Sequence, residues 1–231
     1  MKKKDLIFIG FLVLLFLPFI ISDSLYLAYS EYNASHGFIT SFIKFAILAT
    51  SGELLGLRIR SGNYFAMGFG ILPRALVWGF LGILIKAAFV IFSAGVPPLL
   101  SYLGMREPLH VLSAPFSAQK LLVAFCISLF LNMFFSPVLM TLHKISDTHI
   151  QNCRGELACI ITPVNIGEIL RNVDWNMHWG FVLKKTIPFF WVPAHTITFL
   201  LPADLQILFA AMLGIVLGVI LAFSSVRKAD K

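Results

Sequence analysis

The sequence predicts an all-α fold, a polytopic transmembrane helical bundle of about six spans with both termini cytoplasmic. Apolar residues make up 58% of the 231 residues, and charged residues make up only 13%, about half their share in soluble proteins. Lipid accepts that much apolar surface, whereas a soluble domain of this length cannot bury it. The basic residues also alternate along the chain, and this alternation predicts the orientation.

Six apolar stretches long enough to cross a bilayer follow one another. They cover residues 6–27, 38–57, 75–96, 121–141, 182–201 and 205–223. Fourteen of the eighteen Lys and Arg residues lie in one alternate set of gaps or at the adjoining ends of the stretches, whereas the other gaps hold only Arg106 and Lys120. The fourteen are Lys2, Lys3, Lys4, Arg58, Arg60, Arg74, Lys144, Arg154, Arg171, Lys184, Lys185, Arg227, Lys228 and Lys231. Since positive charge stays on the cytoplasmic side during insertion, the basic gaps are predicted to be the inner ones.

Six spans leave no room for a separate soluble domain. We divide the chain into residues 1–37, an N-terminal extra transmembrane helix with an outer loop, and residues 38–231, the helical bundle. An inner amphipathic loop of about 144–181 belongs to the bundle, and its Trp175 and Trp179 share one helical face at the membrane surface. The Lys-rich start resembles a secretory signal, but we expect the first helix to remain uncleaved.

Charge and cysteine content argue against several functional classes. The net charge of +7 fits topology and contact with the lipid bilayer better than nucleic-acid binding, because no aromatic and basic motif accompanies it. The set of His143, His149, Cys153 and Cys159 lacks the short Cys-x-x-Cys hairpin of zinc sites, so we predict no metal and no cofactor. The sequence contains neither His-Glu-x-x-His nor Gly-x-Ser-x-Gly, and we predict no enzymatic activity.

Polar residues inside apolar stretches are candidate functional residues, because lipid tolerates them poorly. Lys86 lies near the middle of the third stretch and should face the bundle interior or water. Lys44 and Glu53 lie nine residues apart in the second stretch, so a helix places them on opposite faces. Glu53 is close to the inner surface, where we expect a salt bridge with Arg58 or Arg60. Lys44 either extends outward to the surface or joins a central lumen.

The fourth stretch carries a polar stripe. Ser128, Asn132 and Ser136 recur every four residues and therefore share one helical face. Pro137 follows at once and must free a backbone carbonyl one turn earlier. The stripe and the proline together mark this helix as a candidate for function.

The fifth stretch carries His195 and Thr198 just beyond two prolines, Pro188 and Pro193, which imply a kinked or locally opened helix. Counting about 1.5 Å per residue from the inner end places Asn132, Lys86, Lys44 and His195 in one central belt. Such a belt either lines a water-filled lumen that favours anions or forms a dry hydrogen-bond cluster.

The last stretch carries small residues every four positions: Ala210, Gly214, Gly218 and Ala222. This spacing gives one smooth stripe on which a second helix can approach closely. The stripe serves either packing within the bundle or a dimer seam, so a homo-oligomer is one candidate assembly.

The segment from Trp191 to Gln206 reads W-V-P-A-H-T-I-T-F-L-L-P-A-D-L-Q. It resembles the C-terminal signature of the Mpv-seventeen and peroxisomal membrane protein twenty-two family. The residues that match that signature in kind are Trp191, Pro193, Phe199 and Pro202. The resemblance covers residues 38–223 and leaves the first helix as an addition.

Three polar positions depart from the family pattern: His195 stands where Gln is usual, Thr198 where Asn is usual, and Gln206 where Arg is usual. Members of the family are helical proteins of inner mitochondrial or peroxisomal membranes with proposed pore-forming activity. The resemblance therefore implies a helical pore and leaves its substrate open.

The leading functional hypothesis is a small pore or permeation pathway for ions or small anionic metabolites, lined by the central polar residues. A secondary transporter is an alternative, although the sequence has no internal repeat and no central carboxylate. A structural or assembly membrane protein is the other alternative. We expect a bacterial cytoplasmic (inner) membrane, because the start lacks an Arg- and Ser-rich presequence, with an organellar membrane as the alternative.

Overall fold

A computed structural model describes residues 3–229, with side chains described up to residue 219. Every regular element in this described part is helical, and residues 3–229 contain no strand. The predicted all-α fold is therefore confirmed.

The N-terminal region forms two helices, α1 (Lys3–Ile21) and α2 (Asp23–Ser35). The prediction of one helix over 6–27 followed by a loop was wrong at this point, because Ser22 ends the first helix and starts the second. The Ser22 hydroxyl accepts a hydrogen bond from the Leu25 backbone N–H at 3.4 Å, and Asp23 lies in the first turn of α2. Both features favour a helix N-terminus.

Helices α3 (Gly37–Ser61) and α4 (Ile71–Tyr102) pack against each other at close range. Gly79 and Gly82 of α4 allow this approach, since a Cβ on either would lie under 3 Å from the ring of Phe42 or Phe45. Helix α4 also continues through Pro97 and Pro98, so the outer loop predicted to begin there starts later. A short helix, α5 (Pro108–Ser113), lies within that loop.

The fourth predicted stretch forms two helices, α6 (Ala118–Phe134) and α7 (Ser136–Asn152), bent by 45° relative to each other. Pro137 occupies the first turn of α7, where its missing N–H costs no helical hydrogen bond. Helix α7 extends well beyond residue 141, so the first part of the predicted inner loop is helical instead.

The rest of that segment consists of short pieces: a 3-10 turn (Leu157–Ile160), α8 (Ile166–Arg171) and α9 (Trp175–Met177). A π-helix (His178–Trp191) then leads without a break into α10 (Val192–Leu200). The last helix, α11 (Ala203–Ala229), follows a short turn at Pro202. Trp175 and Trp179 are exposed, as a surface-lying segment requires.

Three helices of the described part are long and apolar enough to cross a membrane, namely α1, α3 and α4. The bent pair of α6 and α7 passes the same criterion if it is counted as one span, which gives up to four. Within α11, side chains are described only for Ala203–Val219, and this part is an apolar helix shorter than the candidate spans. Helix α1 differs from the other candidate spans, because none of the residues Lys3–Ile21 is buried by contact with the rest of the protein.

The small-residue stripe of α11 packs against α3 of the same chain. A Cβ on Gly52 would lie 2.9 Å from the Ile215 Cα atom, and a Cβ on Gly218 would lie 2.9 Å from the Gly52 carbonyl oxygen. Ala210 is buried in the main core beside these glycines, and Gly214 also faces α3. The side chain of Ala222 lies outside the described residues. The stripe is thus used for packing within the bundle.

Candidate functional site

A cavity of about 580 Å³ runs along the inside of the bundle, between α3, α4, α7, the π-helix and α11. At one extreme it is lined by the buried residues Phe45, Phe89 and His195, which we call the deep end. At the other it reaches Arg60 and Gln151, which are exposed, and this is the charged end. Phe45 and Arg60 lie fifteen residues apart on α3, which corresponds to about 22 Å along the helix.

A chain of buried hydrogen bonds borders the deep end. The Ser136 hydroxyl donates to the Asn132 side-chain oxygen at 2.8 Å, and the Asn132 amide donates to the Ser128 carbonyl oxygen at 2.8 Å. The same amide lies 3.0 Å from Nδ1 of His195, and the Ser128 hydroxyl donates to the Val192 carbonyl oxygen at 2.7 Å. These bonds join α6 to α10.

Two members of this cluster also border the cavity. Ser136 and His195 line the cavity, whereas Asn132 is fully buried between helices and does not line it. An amide N–H pointing at Nδ1 makes that nitrogen an acceptor, so His195 is held as the neutral imidazole with its proton on Nε2. Phe89 and Trp191 enclose the imidazole, with ring centroids 5.5 Å and 5.1 Å away.

A charged network crosses the cavity wall closer to its other end. Arg74 donates to a Glu53 carboxylate oxygen at 2.5 Å and also forms an ion pair with Asp147. The second Glu53 oxygen accepts from the Trp78 indole at 2.8 Å and lies 3.0 Å from Nε2 of His143. The network therefore ties α3, α4 and α7 together, with the Arg74 side chain only 6% exposed.

The expected salt bridge between Glu53 and Arg58 or Arg60 was wrong. Arg58 instead binds Asp5 of α1 through two contacts of 2.7 Å and 3.0 Å, and its guanidinium lies over the Tyr64 ring. Glu53 lies on the face of α3 that meets α4, so its partner comes from the neighbouring helix. Sequence proximity along α3 favoured the wrong cation.

Lys44 and Lys86 do not line the cavity, so they form no part of its wall. The Lys44 ammonium donates to the Asn33 side-chain oxygen of α2 at 2.6 Å and lies 5.2 Å from the Tyr29 ring centroid. The Lys86 side chain extends toward Gly37 at the start of α3, with Nζ within 3.8 Å of the position of a Cβ there. Both side chains are long enough to place the ammonium group at a different level along the helix axis from its own Cα atom.

The wall opposite α3 and α4 comes from the π-helix. His178, Val182, Thr186 and Trp191 line the cavity at intervals of four or five residues. That interval follows the wider i→i+5 hydrogen bonding of a π-helix, which recurs at functional sites. The Thr186 hydroxyl donates to the Phe181 carbonyl oxygen five residues earlier at 3.4 Å. The locally altered helix predicted near Pro188 takes this form.

The structure thus sorts the sequence-predicted candidates into two groups. Glu53, Ser136 and His195 line the cavity, while Lys44, Lys86, Asn132 and Thr198 do not. Thr198 is fully buried and donates to the Ala194 carbonyl oxygen at 2.9 Å. Sequence reasoning missed several site members, among them the network residues Arg74, Trp78, His143 and Asp147 and the basic residues Arg60 and Lys144.

Their spacing offered a partial signal. His143 and Asp147 are four residues apart, so a helix that continued past residue 141 would present both on one face. The signature residues of the last hairpin have mixed roles. Trp191 lines the cavity, Phe199 lies in the main core, Pro193 occupies the first turn of α10 and Pro202 forms the turn before α11.

Among the described residues, no group of three or more His, Cys, Asp or Glu side chains is arranged to hold a metal ion. His149 uses Nε2 to bond the Cys159 carbonyl oxygen at 2.9 Å, while His143 faces Glu53. Burial raises the pKa of the Cys159 thiol, which keeps it protonated.

Searches for similar proteins found no matching family model, no matching curated protein and no matching solved structure.

Proposed function

We propose that this chain is a six-span integral membrane protein that provides a permeation pathway for small anionic molecules, with the cavity as its vestibule. The observation that carries the proposal is the cavity itself. Its length of about 22 Å corresponds to most of a hydrocarbon core of about 30 Å.

In this proposal six helical segments cross the membrane. Helices α1, α3 and α4 supply three, the bent pair supplies the fourth, and the continuous helix His178–Leu200 and α11 supply the last two. The alternation of basic residues then orients the charged end of the cavity toward the cytoplasm, because Arg60 and Lys144 lie there. A bacterial cytoplasmic membrane is the proposed location.

The deep end closes the pathway in this conformation. Phe45 and Phe89 lie there with buried side chains. Aromatic side chains at a constriction can gate a pore by excluding water. Permeation therefore requires these rings to move.

The test is a flux measurement on the purified protein in liposomes. Met140→Trp places a large ring in the cavity, which Met140 lines, and should lower the rate of chloride or acetate efflux at least about tenfold, since it fills space needed by the solute. Met133→Trp is the matched control, because Met133 lies on the outer face of α6 and is 58% exposed. Equal fluxes in the two variants, or no flux in the wild type at all, would contradict the proposal.

A secondary transporter is a second candidate, favoured by the fact that the cavity is closed at one end only. Glu53 and Asp147 line the cavity and are the carboxylates that such a carrier would use. A carrier predicts uptake driven by a pH gradient, and loss of that coupling in Glu53→Gln. Uptake that is indifferent to the gradient in the wild type would exclude this candidate.

We also propose, from the signature around Trp191 and Pro202, a distant relationship to the Mpv-seventeen and peroxisomal membrane protein twenty-two family. The cavity-lining position of Trp191 supports a role for that signature in the pathway. Silence in every flux assay would instead favour the structural or assembly function, in which the buried cluster of Asn132 only holds helices together.

A further inference from the structure

The walls of the cavity differ sharply in character along its length. From the deep end to its middle, the lining is formed mainly by apolar side chains, among them Ile85, Leu131, Phe135, Leu139 and Met140. Of the polar groups that reach this part, the Ser136 hydroxyl donates to Asn132 and Nδ1 of His195 accepts from Asn132. The buried Trp191 indole N–H has no hydrogen-bond partner. This region offers a solute apolar contact and few free hydrogen-bonding groups.

The charged end carries basic side chains without acidic partners. Two carboxylates line the cavity, Glu53 and Asp147, and Arg74 pairs with both. Arg60 and Lys144 line it as well, and within the described residues neither forms an ion pair or a side-chain hydrogen bond. The free charge at this end is therefore positive.

The geometry points to an amphipathic anion as the solute: its anionic head lies at the end that Arg60 and Lys144 line, and its apolar body lies along the cavity toward Phe89. This inference rests on the proposed function only in taking the cavity as the solute site. A cation would find no unpaired carboxylate in the lining. A strongly polar solute would find its hydroxyl groups unpaired in the deep half, which is costly.

The volume of the cavity suits an amphipathic anion. A volume of about 580 Å³ lies within the usual range of ligand pockets, roughly 300–1,000 Å³. The apolar part accommodates an alkyl chain of roughly ten carbons, about 12 Å long when extended. Each methylene buried there should raise the affinity about fourfold, so hexanoate, octanoate and decanoate should bind with steadily increasing strength.

The experiment uses the full chain in nanodiscs of zwitterionic lipid, with 10-bromodecanoate as the probe. Bromine quenches tryptophan on contact, and Trp78 and Trp191 both line the cavity. We expect saturable quenching, whereas 10-bromodecanol and 10-bromodecyltrimethylammonium should give only the linear quenching of partition into lipid. Trp191→Phe should remove most of the saturable part, which locates the probe.

A pair of double variants tests the head-group site. Removing two charges with Arg60→Gln and Lys144→Gln should raise the half-saturating concentration at least about tenfold, since both charge-assisted contacts are lost. The control, Lys184→Gln with Lys185→Gln, removes two exposed charges of the same sign outside the cavity and should leave it unchanged. Equal shifts in both double variants, or equal saturable quenching by the bromodecyl cation, would overturn the inference.

Two further measurements are needed. One identifies the source of the anion, and the other separates solute binding from permeation. An anionic phospholipid in the nanodisc that competes with the probe identifies the membrane as the source of the anion, and a phospholipid that does not compete identifies a water-soluble one. Both results support an anionic head with an apolar body. Saturable binding without liposome flux would keep this inference and contradict the permeation pathway, whereas flux without saturable binding would do the reverse.

Discussion

Arg74 is the residue on which the charged network depends. Its side chain is 6% exposed and pairs with Glu53 of α3 and Asp147 of α7, and its Nε donates to the Phe69 carbonyl oxygen at 2.7 Å. A guanidinium suits this position because it has five N–H donors in a fixed planar arrangement. An ammonium at the same place could not reach all three acceptors.

The replacement Arg74→Met should destabilise the protein strongly. It leaves two carboxylates in the wall without their cation, and breaking a buried pair in this way costs about 3 kcal/mol or more. Thermal unfolding of the purified protein should show a clearly lower midpoint, while Lys185→Gln, an exposed cation, should leave the midpoint unchanged. An unaltered midpoint in Arg74→Met would mean that the network contributes nothing to the fold.

Residue partners were the least predictable feature of this sequence. Hydropathy and spacing identified Glu53 and His195 as unusual, but they gave only the depth and the face of each side chain. Lys44 and Asn132 come out at similar depths, yet Lys44 bonds to α2 and Asn132 bonds across to α10. Depth along a helix therefore did not predict which groups converge, because convergence depends on which helices are neighbours.

At the scale of elements, the seam between α3 and α11 sets the width of the cavity. Gly52, Gly56, Gly214 and Gly218 all line the cavity where these helices approach each other. Small residues at such a seam allow backbone contact, which is the main source of attraction between helices in lipid. The four-residue spacing of the stripe predicted close packing correctly, and only the partner helix was left open.

Gly52→Ala should therefore weaken the fold. Its Cβ would lie 2.9 Å from the Ile215 Cα atom and 3.1 Å from the Gly214 carbonyl oxygen, so the helices must separate. Overpacking of this kind costs about 1–3 kcal/mol, which thermal unfolding would detect.

Gly95→Ala is the matched control, because a Cβ there meets no heavy atom within 4 Å. It should be neutral or slightly stabilising, since alanine is the better helix former by about 1 kcal/mol. If both variants unfold at the wild-type temperature, the α3–α11 seam is not close-packed.

The ends of the helices depend on individual residues such as proline and serine, which the pattern of apolar residues does not reveal. The bend at Pro137 was predictable, because a proline inside an apolar stretch must disturb the helix. The break at Ser22 was not, since a serine cap interrupts α1 without interrupting the hydrophobic run. The π-helix was predicted only as a kinked or opened segment near Pro188, because the apolar pattern does not distinguish i→i+5 from i→i+4 hydrogen bonding.

At the scale of the whole molecule, the distribution of charge and the cavity lead to the same proposed orientation. The basic residues that suggested an inner side from the sequence include Arg60 and Lys144, and these two residues also line one end of the cavity. The orientation stays a prediction from the sequence, whereas the cavity could not be predicted from it. A cavity arises from the bend between α6 and α7 together with the π-helix facing them, and neither shape is encoded by hydropathy alone.

The most direct measurement of the central claim is the accessibility of the cavity to water. In a variant with Cys126, Cys153 and Cys159 replaced by alanine, Met140→Cys should react from the Arg60 side with a membrane-impermeant thiosulfonate, because a thiol needs water to ionise. Met133→Cys, on the exposed outer face of α6, should stay unreactive in lipid. An unreactive Met140→Cys beside a reactive Arg60→Cys would contradict a water-filled vestibule, and with it the proposed permeation pathway.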